Sequence, residues 1–173
     1  MLLFSEKTEC CGCSACVEVC SAGAIHMEQD EEGFEYPRIE KAICTDCGRC
    51  REVCPIINSE ETIRQEETCF GVQAINEEIR YGSSSGGMFT ILAEYIFERR
   101  GKVYGAAYND AMEVAHIVAD DMVRLEAVRQ TKYVQSKMEG IYKKIEKQLR
   151  EGRWVMFCGT PCQARALKNY LKK

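Results

Sequence analysis

The chain has 173 residues, a net charge of −4 and a mean hydropathy of −0.30, room for one ordinary domain or for a small module plus a medium one. The acidic balance argues against a nucleic-acid binder, and the apolar runs fall far short of the ~20 residues that span a bilayer. The opening Met1–Glu6 is too short an apolar run for a secretory signal, so a cytoplasmic location is expected, where thiols stay reduced.

Charge is uneven. Residues 1–57 carry 11 acidic against 5 basic side chains, a net of −6, and the remainder carries 16 against 18, a net of +2. An acidic first part favours docking on a basic protein surface, and a merely solvated acidic face fits the charge equally well.

Eight of the twelve cysteines lie in that first part, in two ladders. Cys10, Cys13, Cys16 and Cys20 read Cys-x2-Cys-x2-Cys-x3-Cys, and Cys44, Cys47, Cys50 and Cys54 repeat the spacing, with Pro55 following. This is the bacterial ferredoxin spacing for cubane 4Fe–4S clusters, in which the fourth cysteine ligates the other cluster. The expected ligand sets are crossed: Cys10, Cys13, Cys16 and Cys54 on one cluster, Cys44, Cys47, Cys50 and Cys20 on the other. Zinc knuckles pair Cys-x2-Cys and leave a third cysteine at the same step unexplained, twice. A disulfide framework needs an oxidising compartment. Cys11 is out of register and reads as a spare loop thiol. His26 and His116 have no second ligand at metal spacing and read as structural.

The repeat predicts an α+β ferredoxin-like two-cluster module over 1–57, too small to fold without its clusters. Each ladder is followed by a short apolar element, Ala24–Met27 and Ile56–Ile57, with a polar turn at Asp30–Gly33. Residues 58–67 are polar and read as a linker or short exposed helix.

From Thr68 the pattern becomes α/β with a mixed, partly parallel sheet over 68–173. Cys69–Ala74 reads as a first strand. Met88–Arg99 reads as a helix with Leu92, Tyr95 and Ile96 on the face of Met88. Val103–Ala107 and Val114–Val118 read as paired strands, and Met122–Val128 as a short helix. Met138–Leu149 reads as a longer helix with Ile141, Tyr142, Ile145 and Leu149 on one face. Trp154–Phe157 reads as a strand covered on both sides, and Ala164–Leu171 as the last helix.

Three clusters in this part carry chemistry. Gly82–Met88 opens the first long helix, where glycines allow close backbone approach and first-turn N–H groups suit an anion; a plain capped helix start fits equally well. Lys132-Tyr133-Val134-Gln135-Ser136 offers a cation, either beside a flavin ring or as a surface lysine next to a core tyrosine, the latter preferred on residue types alone. Phe157–Gln163 is a strand-to-helix turn, with Thr160 as N-cap, Pro161 as first helical residue and Cys162 in the first turn, where the helix dipole lowers a thiol pKa and suits a redox or ligand role, although a buried inert cysteine is the commoner fate there. Cys158 with Cys162 as a thiol pair ranks low, since the spacing is not Cys-x-x-Cys.

Behind the two-cluster segment, Ser83-Ser84-Ser85-Gly86-Gly87, Lys132–Ser136 and Gly159-Thr160-Pro161-Cys162-Gln163 occur in the order that resembles the beta subunits of coenzyme F-420 hydrogenases and dehydrogenases. The resemblance covers the whole chain. It implies an FAD-binding domain fed by iron–sulfur clusters, and a redox protein as partner, either a ferredoxin or a hydrogenase or dehydrogenase subunit. By position, Ser85, Gly86, Gly87, Thr90, Lys132, Ser136, Gly159, Thr160, Pro161, Cys162 and Gln163 become flavin-side candidates. Family members run on into a second half that completes the flavin pocket, so the chain is expected to be a fragment or to be completed by another chain. The competing expectation is a ferredoxin-type electron carrier in which 68–173 serves for docking.

Overall fold

Chain reversal in both ladders depends on the left-handed backbone region. The computed structural model describes residues 4, 6–58 and 68–172. In it Gly12 (φ 61°) and Ser14 (φ 60°) are left-handed, as are Asp46 (φ 53°) and Gly48 (φ 76°). These stand at the same two positions of each ladder, so the sequence repeat is also a backbone repeat. Ser14 then opens helix α1 (Ala15–Val19) and Gly48 opens helix α2 (Arg49–Val53). The fourth cysteines, Cys20 and Cys54, are the C-caps of these helices, with ψ of 102° and 120°.

A side chain in the left-handed region costs roughly 1–2 kcal/mol that glycine avoids. A Cβ on Gly48 would meet nothing within 4 Å, so the strain alone sets the cost. Gly48→Ala should therefore destabilise by about 1 kcal/mol and Ser14→Gly should not, read as shifts in denaturant midpoint at unchanged slope.

Between the ladders, β1 (Ile25–Gln29) and β2 (Glu35–Ile39) form an antiparallel hairpin in the register Ile25↔Ile39. The Asp30 carboxylate accepts N–H bonds from Glu32 and Phe34 at 3.1 and 3.0 Å, and Gly33 supplies φ 89°. The polar turn stands where the sequence placed it. Ile56–Ile57 does not mirror the first half. Both side chains are exposed in a turn closed by the Asn58 N–H on the Cys54 carbonyl at 3.0 Å, and Asn58 Nδ2 also holds the Glu52 carbonyl at 2.9 Å. Beyond Asn58, the expected linker 58–67 lies outside the described residues.

The packing units do not follow the contiguous division at 58–67. Among the described residues, Lys137–Glu146 and 159–172 pack with the cysteine segment, and 68–136 with 147–158 form a second unit. In the cysteine unit, the first part of α6 (Ile141–Arg150) buries Ile141, Tyr142 and Ile145. Helix α7 (Pro161–Leu171) contributes Ala166, Leu167 and Tyr170. Tyr142 and Tyr170 stack with centroids 5.6 Å apart, and the Tyr142 hydroxyl donates to the Cys13 carbonyl at 2.7 Å. These helices add apolar burial to a ladder segment of ~50 residues that is too small to fold on its own.

The second unit is built on a mixed three-stranded sheet, order β4-β3-β5. β3 (Lys102–Tyr108) pairs antiparallel with β4 (Val114–Ala119) and parallel with β5 (Val155–Phe157). Helices α4 (Met88–Glu98) and α5 (Met122–Val128) close its core of Ala93, Ile96, Val103, Ala119, Leu125 and Val128. A further helix, α3 (Glu77–Tyr81), escaped the sequence reading although Asn76 caps it by accepting from the Glu78 and Ile79 N–H groups.

Four expectations are corrected here. Cys69–Ala74 is not a strand: its Phe70 and Val72 are exposed, and Ala74 donates to the Gly86 carbonyl instead of joining a ladder. The buried face of α4 is Thr90, Ala93 and Ile96, while Leu92 and Tyr95 are exposed. Trp154 and β5 are not covered on both sides. Trp154 is 51% exposed, edge-on to Tyr95 at 6.1 Å, with the Arg99 guanidinium 3.4 Å from the Tyr95 centroid. That cation–π stack shelters the two rings without a covering layer. Leu149 likewise lies outside the α6 core, at 41% exposure.

Candidate metal centre and flavin-side residues

The doubled loop turns its sulfurs toward one another in a particular pattern. The charge neighbours of Cys10 and Cys16 include Cys54 of the other ladder, and those of Cys50 include Cys20. Backbone donors already face sulfur, Gly12 N–H on Cys10 at 3.4 Å and Ala24 N–H on Cys20 at 3.3 Å. Burial pushes the Cys10 thiol up to about 11 and the Cys16 thiol up to about 12. A hydrogen bond with Cys11, followed by burial, pushes Cys13 up as well. Cys50 is raised by burial, whereas exposed Cys47 is lowered, first by the Arg49 N–H. Such buried thiols hold their protons at neutral pH until a metal displaces them, and an all-thiolate set is the donor set of iron–sulfur clusters. Among the described residues no three ligand-type side chains converge on one ion position. A cube takes each thiolate on a different iron and does not require that convergence.

Glu18, which the sequence reading passed over, and Tyr142, which it placed only on an apolar helix face, anchor the first loop. Glu18 lies between Cys16 and Cys20 yet is 7% exposed. Its Oε2 accepts the Lys143 N–H at 3.0 Å at the start of α6, and burial pushes its carboxyl up against that bond. Tyr142 grips the Cys13 carbonyl from the same helix. The available signal was a carboxylate flanked by Val17 and Val19 inside a ladder.

The flavin-side candidates fall in both units. In the sheet unit, a Cβ on Gly86 would meet the Val72 carbonyl at 2.5 Å, and Gly87 (φ 84°) would meet Ala74 Cβ at 3.0 Å. The close approach these glycines allow is therefore to the chain itself. Gly87 is the N-cap of α4 and leaves its first turn without a side-chain cap. Ser85 is exposed, while Thr90 and Ser136 are buried, and Thr90 Oγ1 has no hydrogen-bond partner. The Lys132 ammonium donates to the carbonyls of Ala127, Arg129 and Gln130 at the C-terminal end of α5, so its three protons are committed. Tyr133 beside it is 92% exposed and not a core tyrosine. His116 is buried: its Nε2 is 3.0 Å from the Cys158 carbonyl, its ring stacks on Phe157, and burial lowers its pKa.

In the cysteine unit, Gly159 leads into the start of α7. Thr160 and Gln163 form a reciprocal capping box, with the Thr160 N–H on Gln163 Oε1 at 2.9 Å, and Pro161 takes the first helical position. Cys162 Sγ lies 3.1 Å from Thr160 Oγ1, and its pKa is raised by burial, not lowered as the helix start led one to expect. Helix capping thus accounts for Thr160, Pro161 and Gln163 without a ligand.

Comparison with known proteins follows the same division. Residues 9–56 match the model of the 4Fe–4S dicluster domain. Over 92% of its length the chain is 24% identical to a subunit of the F(420)H(2) dehydrogenase of Methanosarcina mazei and 26% identical to the coenzyme F420-dependent sulfite reductase of Methanocaldococcus jannaschii. Over most of its length the chain is thus similar to F420-related iron–sulfur proteins. It spans 47% and 25% of the lengths of those two relatives. Its first part is 38% identical over 71 residues to a ferredoxin of Alicyclobacillus acidocaldarius, covering 85% of that protein. Iron–sulfur electron transfer is accordingly the function of the dicluster segment. No helix of the described residues is long and apolar enough to cross a membrane.

Proposed function

We propose that the protein holds two 4Fe–4S clusters on crossed ligand sets and relays electrons between a redox protein partner and a two-electron acceptor. Cys10, Cys13, Cys16 and Cys54 hold one cluster, and Cys44, Cys47, Cys50 and Cys20 hold the other. The observation that carries this is the doubled left-handed loop, with each fourth cysteine at a helix C-cap and among the charge neighbours of the opposite ladder. Anaerobically purified protein should contain about eight iron and eight sulfide per chain. Zinc without sulfide would refute the assignment.

The acceptor in this reading is FAD, for which residues 68–173 supply part of the site. When bound, FAD converts between one- and two-electron transfer. The uncapped first turn of α4 and the buried, unpartnered Thr90 hydroxyl support it. Lys132 contributes through its charge, since its protons are already engaged. FAD added to the cluster-loaded protein should lose fluorescence saturably, and Thr90→Val should weaken binding about tenfold, or about 1.4 kcal/mol.

A second reading is an electron carrier with a docking domain. It is favoured by the packing of Gly86 against its own chain and by the capping duties of Thr160, Gln163 and Lys132. If neither FAD nor FMN binds, this reading replaces the first.

A further inference from the structure

The two flavin-side clusters of the sheet unit, Ser83–Gly87 and Lys132–Ser136, are joined by a residue that belongs to neither. Arg129 is the C-cap of α5, where its N–H bonds the Leu125 carbonyl at 3.0 Å, and Leu125 and Val128 beside it lie in the sheet core. Its guanidinium reaches back to the start of the Gly/Ser turn. Nη2 donates to Ser83 Oγ at 3.4 Å and to the Ile79 carbonyl at 3.5 Å, the same carbonyl that accepts the Ser83 hydroxyl at 2.6 Å. Nη1 pairs with the exposed Glu126 at 2.6 Å, and Nε is buried with no hydrogen-bond partner. The main chain of the same residue faces the other cluster: the Arg129 carbonyl accepts the Lys132 ammonium at 2.5 Å. The fit around the guanidinium is close. A Cβ on Gly82 would lie 2.5 Å from Nη2 and 3.3 Å from Cζ, although Gly82, at φ −76°, has a backbone that any residue can adopt.

We infer that Arg129 is a positioning residue of the flavin site, an inference that rests on the FAD reading above. It ties the Gly/Ser turn that opens α4 to the carbonyl cradle of Lys132, so that the two clusters keep a fixed separation. Gly87, the N-cap of α4, has no side chain with which to fix the first turn itself. It lies against Ile79 instead: a Cβ on Gly87 would meet Ile79 Cγ2 at 3.1 Å and the Ile79 carbonyl oxygen at 3.5 Å. What holds Ile79 and Ser83 therefore holds the start of α4, and Arg129 holds both from the end of a helix anchored in the core. A guanidinium suits this task better than an ammonium, because its planar fork sends one arm to the turn and the other to Glu126. A contact serving stability alone does not call for a cation with a buried, unbonded Nε; holding ligand-binding groups in register, to within about 0.5 Å, does. Arg129 acts here through Ile79, Ser83 and Lys132 and touches no ligand.

The test follows FAD binding and hydrogen exchange in the full cluster-loaded chain carrying Arg129→Ala, Arg129→Lys, Gly82→Ala, or Gly82→Ala with Arg129→Ala. Arg129→Ala should weaken FAD binding about tenfold, and Gly82→Ala should do the same by displacing the guanidinium. The double variant should be no weaker than either single one, because both substitutions remove one contact. Lysine, lacking the fork, should not restore affinity. At saturating FAD, the visible circular dichroism of the bound flavin should change in Arg129→Ala, whereas a site that was merely less stable would give the wild-type spectrum at lower occupancy. Without FAD, the Ser83, Thr90 and Ile91 amides, which bond the Arg80 and Gly87 carbonyls, should exchange faster in Arg129→Ala while those of β3 and β4 do not change. The inference is overturned by unchanged exchange at those three amides, or by a double variant weakened about a hundredfold, as independent sites would be. If the wild-type chain binds no FAD, the flavin reading falls, and the exchange result still decides whether Arg129 ties the two segments together.

Discussion

Stripping iron with a chelator under anaerobic conditions should unfold the two ladders while the sheet unit stays folded. Residues 6–58 bury mainly small groups, among them Ala15, Val19, Ala24, Ile25 and Val53, whereas Phe34, Ile43, Ile56 and Ile57 are exposed. A segment of ~50 residues recovers too little apolar burial to offset its chain entropy, so the metal's binding free energy serves as folding free energy. The sheet unit has its own core and needs no metal for it. Hydrogen exchange distinguishes the two: amides of α1 and α2 should lose protection on chelation, and amides of β3 and β4 should keep it. Tyr142→Phe should give a milder form of the same defect. It strands the buried Cys13 carbonyl at a cost of about 1–2 kcal/mol, enough to lower the chelator concentration at which the ladders open. Full protection of α1 and α2 without iron would show that the helices, and not the clusters, hold the module.

What could be read in advance was what local chemistry dictates. Cysteine spacing, the Asp30–Gly33 turn, the β3–β4 pair and the Thr160–Pro161 helix start each follow from a few adjacent residues. What could not be read depends on packing between distant segments. Nothing around Glu18 announces that its carboxylate caps α6, more than a hundred residues away. Nothing in Lys137–Glu146 announces that it packs with the ladders and not with the sheet it adjoins in sequence. The face of α4 was misjudged because Met-Phe-Thr-Ile-Leu-Ala-Glu-Tyr-Ile-Phe-Glu is apolar nearly all round, so periodicity selects no side. The strand expected at Cys69–Ala74 failed for a related reason: a short apolar run names no partner, and its backbone went to Gly86. Gly86 and Gly87 read from sequence as room for a ligand, and the room proves to be filled by Val72 and Ala74.

The crossed ligation of two clusters is the central claim, and paired alanine substitutions test it without a cluster structure. Alanine offers no donor atom, so each substitution should abolish the cluster that its sulfur serves. Cys10→Ala with Cys54→Ala removes two ligands of the same cluster and should leave the other intact, about four iron and four sulfide per chain. Cys10→Ala with Cys20→Ala strikes both clusters and should leave almost none. An uncrossed arrangement, with each ladder holding its own cluster, predicts the reverse order for these two pairs. The deciding measurement is iron and sulfide per chain in the two double variants, purified side by side without oxygen. About half the wild-type content in the Cys10/Cys54 pair and near zero in the Cys10/Cys20 pair is the predicted result, and the opposite ranking would contradict it.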